Sequence, residues 1–325
     1  MRFLMRLDQV LKFQDARLHE ASLFALDSVV KAQFPNGGWA QGFDEFPNPA
    51  DFPVKAASFP ETWPREYPGG KYWLFYTLND NALADTIDAL LLAGRIYREP
   101  KYHDAALRGG EFLIRAQLPE PQPAWAQQYN FEMHPAWARK FEPASVTGGE
   151  SQGAIRILLR LFVETGDKKF LSPIPKALDY LERSRLPNGQ LARFYELRTN
   201  KPLYFNKQYE LTFDDSDMPT HYSFKVDDKL DSLRGEFNGV AKLSVQQLQK
   251  RRDEKHAPPK SSPPRDSLVK DVIQSLDERG AWVENGKLKY HGKSDSTTRI
   301  IDSTTFIKNL RTLSLYLASV KPTAG

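Results

Sequence analysis

The chain has 325 residues, 40% of them hydrophobic and 26% charged, a globular composition long enough for one large domain or two modest ones. It contains no cysteine, which excludes disulfides and thiolate chemistry, and no apolar run long enough to span a membrane. A net charge of +4 is too small an excess to argue for nucleic acid, but it suits a polyanionic partner.

In chain order, MRFLMRLDQVLKF breaks its apolar run at Arg6 and Asp8 and reads as the start of a helix rather than a signal peptide. Apolar residues at i, i+3, i+4 spacing predict helices at about 16–33, 81–98, 103–117, 150–164, 170–185, 265–278 and 299–319. Residues 44–80, rich in Pro, Gly and aromatics, read as a long ordered loop. Strand-like alternation is scarce, and Tyr204–Phe213 is its best candidate. A second interruption covers 195–264, and its charged, Pro-rich end around 250–264 reads as a mobile linker. The class is therefore mainly α, with a single domain over 1–325.

The helices come in pairs, and the pairs end alike. One ends QFPNGGW, with Trp39-Ala40-Gln41; a second ends Gln117-Leu118-Pro119 and, after a longer loop, Trp125-Ala126-Gln127; a third ends RLPNGQ, with Leu191-Ala192-Arg193. A fainter echo is Glu278 to Trp282. Proline and Asn-Gly explain why each helix stops there. Repeated helix pairs close into a toroid or stack into a solenoid, and three to four unequal pairs favour a toroid with loops gathered around a cleft at one end.

That register nominates residues for chemistry. Gln41, Gln127 and Arg193 share one position, and only the third copy places a cation there. Arg193 also reads as an ion-pair partner of Glu196 or Glu182. Asp80 and Glu150 stand near the starts of two helices, Asp80 falling opposite Gly148, two residues short of Glu150. Both fit helix capping. Two carboxylates beside one cleft, with Glu142 near, equally fit a Ca²⁺ site, which takes oxygen ligands. Arg139 and Lys140, and a second basic set of Arg198 and Lys201, suit carboxylate binding, although lysines at such positions are ordinarily solvated. The run DDSDMP at 214–219 looks like a turn. Serine-hydrolase, phosphate-loop, dinucleotide and zinc-protease motifs are absent, and the six histidines show no metal-ligand spacing. A glycoside or uronyl hydrolase with paired carboxylates also fits an α/α toroid, as does a non-catalytic pectin-binding module.

Taken together, QFPNGGW, LNDNAL, WARKFEPASVTGGES, LPNGQLARFYELRTNKPLYF and DDSDMPTHYSFK, in that order, resemble the polysaccharide lyase family-10 pectate lyases over roughly residues 20–320. The resemblance implies an (α/α)3 toroid, polygalacturonate as substrate, Ca²⁺ as cofactor and β-elimination with an arginine base. It places the base at Arg193, with Arg139 in reserve. Asp80 becomes the first Ca²⁺ ligand, with Glu142 and Glu150 beside it, and Asn81, Arg139, Lys140, Arg198 and Lys201 become substrate contacts. It further implies a monomer that is secreted or periplasmic. An arginine stays protonated in water, so it serves as a base only where neighbouring cations and low dielectric oppose its charge.

Overall fold

The computed structural model describes residues 1–256, 263–288 and 295–319. Beside the single domain expected over 1–325, the chain divides into two compact units, Met1–Lys255 and His256–Gly325. The mobile stretch expected around 250–264 falls partly on helix, to residue 256, and partly on residues 257–262, which lie outside the described ones.

The first unit is built on helices α1 (Arg2–Val10), α2 (Ala16–Lys31), α3 (Ala82–Tyr97), α4 (Pro100–Ala116), α5 (Gly148–Thr165), α6 (Ile174–Arg183), α7 (Leu230–Val240) and α8 (Val245–His256). It is a mainly α, open α/α toroid, with no closed barrel among the described residues. Local chemistry sets the helix boundaries. The Asp15 carboxylate accepts the Leu18 N–H at the start of α2, Pro100 occupies the first turn of α4, and Gly166, at φ 74°, ends α5. Helix α3 packs on α4, α4 on α5, and α5 on α6 and α7. Leu26, Leu90, Tyr102, Phe112, Ile155 and Leu158 lie fully buried in the shared core. Gly110 permits the α4–α5 approach, because a Cβ there would fall 2.3 Å from Leu161 Cδ1.

Short strands join the loops at one end. Strands β1 (Tyr76–Thr77) and β2 (Gln128–Tyr129) pair antiparallel. Strands β3 (Val146–Thr147), β4 (Leu191–Ala192), β5 (Phe194–Tyr195), β6 (Pro202–Phe205), β7 (Leu211–Thr212) and β8 (Lys225–Val226) form a four-stranded sheet in the order β3-β5-β6-β7 and a separate β4-β8 pair. The predicted strand at 204–213 is thus a hairpin, with Tyr204 opposite Thr212. Residues 44–80 form the expected loop, broken by short 3-10 turns.

The second unit holds helices α9 (Asp266–Gln274) and α10 (Ser303–Ser319), which pack together, and the antiparallel pair β9 (Glu284–Asn285) and β10 (Arg299–Ile300). No helix among the described residues is long and apolar enough to cross a membrane.

Candidate active site

The repeat seen in the sequence has a physical basis. Trp39, Trp125 and Trp282 each donate the indole N–H to a carbonyl of a preceding helix, at Val29, Leu113 and Val272. In two copies a tyrosine completes the closure. Tyr129 accepts the Ala126 N–H and donates to Ala116 O, while Tyr195 accepts the Ala192 N–H and donates to Ser184 O.

These pair ends receive the chain entering the next helix. Thr77 donates its N–H to Trp39 O, and Thr147 donates to Trp125 O, both at 2.9 Å. Asp80 and Glu150 each stand three residues further on, so they are equivalent positions. The sequence register set them two residues apart because the stretch from Asp80 to Gln117 is two residues longer than that from Glu150 to Arg185. Gly148 lets the start of α5 lie against the loop bearing Arg193, since a Cβ there would fall 2.4 Å from Ala192 O.

A cleft of about 250 Å³ is lined by Asn79, Asp80, Asn81, Glu150, Arg156 and Arg193, among others. Asp80 and Asn81 both adopt left-handed conformations, at φ 54° and 59°, which Asp and Asn tolerate better than most residues. Neither caps its helix through its side chain. The Asp80 carboxylate is half exposed and paired with the Arg139 guanidinium.

Arg139 also donates through its backbone N–H and Nε to Glu142 Oε2, at 3.1 and 3.0 Å. Burial alone would lower the Arg139 pKa, but Glu142 and Asp80 hold it above its ordinary value. Glu142 Oε1 accepts Asn79 Nδ2 at 3.2 Å and the Tyr222 hydroxyl at 3.0 Å. This fully buried carboxylate therefore accepts four hydrogen bonds, which fill both oxygens. Burial, and then Glu142, push the Tyr222 hydroxyl far above its usual range.

Arg193 lies with its guanidinium 4.7 Å from the centre of the Tyr222 ring, and its Nε donates to Ser223 O. Its Nη1 is 4.0 Å from Glu150 Oε1. The alternative partners are taken, since Glu196 pairs with Arg65 and Glu182 with Arg234. Glu150 Oε2 is buried without a partner. Burial raises the Glu150 pKa, and Arg193 opposes that shift.

The fold thus gathers Asp80, Asn81, Glu150 and Arg193 around one cleft and ties Arg139 and Glu142 to Asp80. Lys140, Arg198 and Lys201 do not line it; the Lys140 ammonium sits 5.0 Å from the Tyr209 ring centre. Sequence reasoning missed Asn79, Tyr222 and Arg156. Tyr222 lies inside a motif that carried the resemblance, but no spacing linked it to Arg193. The DDSDMP run is a turn, with Asp215 and Asp217 paired to Lys225 and Lys207.

No group of three or more His, Asp or Glu close enough to hold a metal occurs among the described residues. The oxygen donors among the cleft-lining residues include the Asp80 carboxylate, the Asn81 amide and the Glu150 carboxyl, one oxygen of which is buried without a partner. Such oxygen donors fit a hard cation whose remaining positions are filled by water and a bound acid.

Residues 2–161 match the family model described as pectic acid lyase. Two solved structures share the fold. One is a mutant of the family 10 polysaccharide lyase from Cellvibrio cellulosa in complex with trigalacturonic acid, at TM-score 0.56 and 17% identity, over 73% of this chain and 78% of that one. The other is the family 10 polysaccharide lyase of the same organism, at TM-score 0.56 and 18% identity, over 74% and 78%. No curated protein matches the chain. Its N-terminal part is thus similar to pectic acid lyases, and its fold to that of family 10 polysaccharide lyases, as its motifs suggested.

Proposed function

We propose that the protein cleaves polygalacturonate by Ca²⁺-assisted β-elimination, with Arg193 as the base. The observation that carries this reading is the placing of Arg193 in the cleft, stacked on Tyr222 and opposite Asp80 and Asn81.

The proton at C5 of a uronate is weakly acidic, and its loss puts negative charge on the adjoining carboxylate. A Ca²⁺ held by Asp80, with Asn81 and Glu150 beside it, would supply Lewis-acid neutralisation of that charge. Arg156, exposed on the cleft wall, adds fixed positive charge where negative charge grows. Arg193 takes the C5 proton from within about 3 Å, the C4–O4 bond breaks, and a 4,5-unsaturated end remains. Tyr222 and the Ser223 carbonyl hold the guanidinium in one orientation. Arg139 is the poorer base, because Glu142 and Asp80 hold its proton more firmly. Its role is to orient Asp80, and Glu142 in turn fixes Arg139. A polymeric substrate of this kind suits a secreted or periplasmic protein.

The test is ultraviolet absorbance of unsaturated product on polygalacturonate at alkaline pH, with Ca²⁺ and then with EDTA. Calcium-dependent growth of the signal is expected. New reducing ends without that signal would replace the reading with hydrolysis by Asp80 and Glu150.

A further inference from the structure

A second basic and aromatic surface lies away from the cleft. Phe213 is 46% exposed, and its ring is flanked by the Arg65 guanidinium at 5.4 Å and the Lys201 ammonium at 5.3 Å. Three residues before Lys201 in the chain, Arg198 stacks at 6.0 Å on Phe59 and donates to Pro60 O. Glu196, nearly buried, is paired with Arg65, and of the acids that follow Phe213, Asp215 is paired with Lys225 while Asp214 is exposed and accepts from Ser216. Among the described residues, Lys201 and Arg198 pair with no carboxylate. The surface therefore keeps a positive excess, Arg198 and Lys201 against Asp214, around an exposed ring.

The patch is separate from the cleft, since none of Arg65, Arg198, Lys201 and Phe213 lines it.

We propose that Phe213, with Lys201 and Arg198, is a non-catalytic binding surface for a uronate stretch of an acidic polysaccharide. It rests on the acidic-polysaccharide reading above. The apolar face of a sugar ring would lie on Phe213, and its carboxylate would meet Lys201 and Arg198, the guanidinium in a bidentate pair. An exposed phenylalanine between two cations gains from each, but that gain does not require Arg198 as well. An anionic chain accounts for it. The surface gathers polymer near the enzyme rather than taking part in cleavage.

The test uses the full chain and two measurements. In gels containing polygalacturonate, Phe213→Ala should migrate faster than wild type, and added salt should erase the difference. In kinetics, the ratio of kcat/KM on polymer to kcat/KM on the shortest cleaved oligogalacturonate should fall about fivefold, which corresponds to roughly 1 kcal/mol. Phe213→Tyr should restore both, and an unchanged Tm confirms the fold. Equal losses on polymer and oligomer, or wild-type migration and ratio, overturn the proposal. Wild-type protein that is retarded through Phe213 yet releases no unsaturated product would keep this surface and discard the lyase chemistry instead.

Discussion

The second and third helix-pair ends, Trp125–Tyr129 and Leu191–Tyr195, are built alike and used differently. In each, a tyrosine three residues after an alanine closes the loop onto the helix just completed. In each, the carbonyl of the shared register residue receives the chain entering the first helix of its own pair. Gln127 O accepts the N–H groups of Leu78 and Asn79, leading to Asp80, and Arg193 O accepts that of Gly148, leading to Glu150. The side chains then diverge. Gln127 is buried with both amide atoms unpartnered, whereas Arg193 reaches the cleft and stacks on Tyr222. The scaffold is set by the tryptophan and tyrosine closures, and the chemistry by the single position between them.

The sharpest break of this comparison is Arg193→Lys, which keeps a cation but not the planar group on Tyr222. We expect product formation to fall by at least ~10³ with substrate binding largely kept. A near-normal rate would move the base to Arg139. Next, Asp80→Ala at the second pair end should raise the Ca²⁺ concentration needed for activity by about 10–100-fold, the usual size of losses around a metal. The fold should remain intact in circular dichroism, since Asp80 makes no side-chain cap. Global unfolding would restore the capping role.

Smaller effects test whether the two ends share a structure. Tyr129→Phe and Tyr195→Phe each orphan a buried N–H and a buried carbonyl, so each should cost about 1–3 kcal/mol in chemical denaturation. A large cost at only one would show that the repeat is not structural. Glu150→Gln addresses the acid beside Arg193. Because its folded pKa is raised, the folded state keeps the proton after the unfolded chain has released it. Wild-type stability contributed by this group is therefore present below the ordinary glutamate range and is lost as pH rises through the raised value. The variant should lack that decline in Tm measured against pH.

Much of this was legible because it is local. Helix periodicity placed α2 to α6 within a few residues, and Pro and Asn-Gly marked their ends. Tryptophan recurrence located the loop cluster, and with it Arg193. Helix α7 escaped because it lies inside an insertion without the repeat, and α8 because VQQLQKRRDEKH is polar nearly all round. The network on Glu142 was out of reach for another reason. Asn79, Tyr222 and Arg139 come from three loops, and Asn79 and Tyr222 stand 63 and 80 residues from Glu142 in the chain. No local period records such a meeting. The offset between Asp80 and Glu150 failed because their equivalence is set by the backbone pairing of Thr77 with Trp39 and of Thr147 with Trp125, while the helix pairs that follow differ by two residues in length.

The indole and tyrosine closures also bear on how such a protein can change over evolutionary time. They fasten each loop to its own preceding helix through Val29, Leu113 and Val272, or through Ala116 and Ser184, and not through the residue at the cleft. A duplicated unit of this kind can therefore exchange glutamine for arginine at one position while its fastening stays unchanged. New reactivity becomes accessible by single substitutions, with the inherited frame absorbing little of the risk.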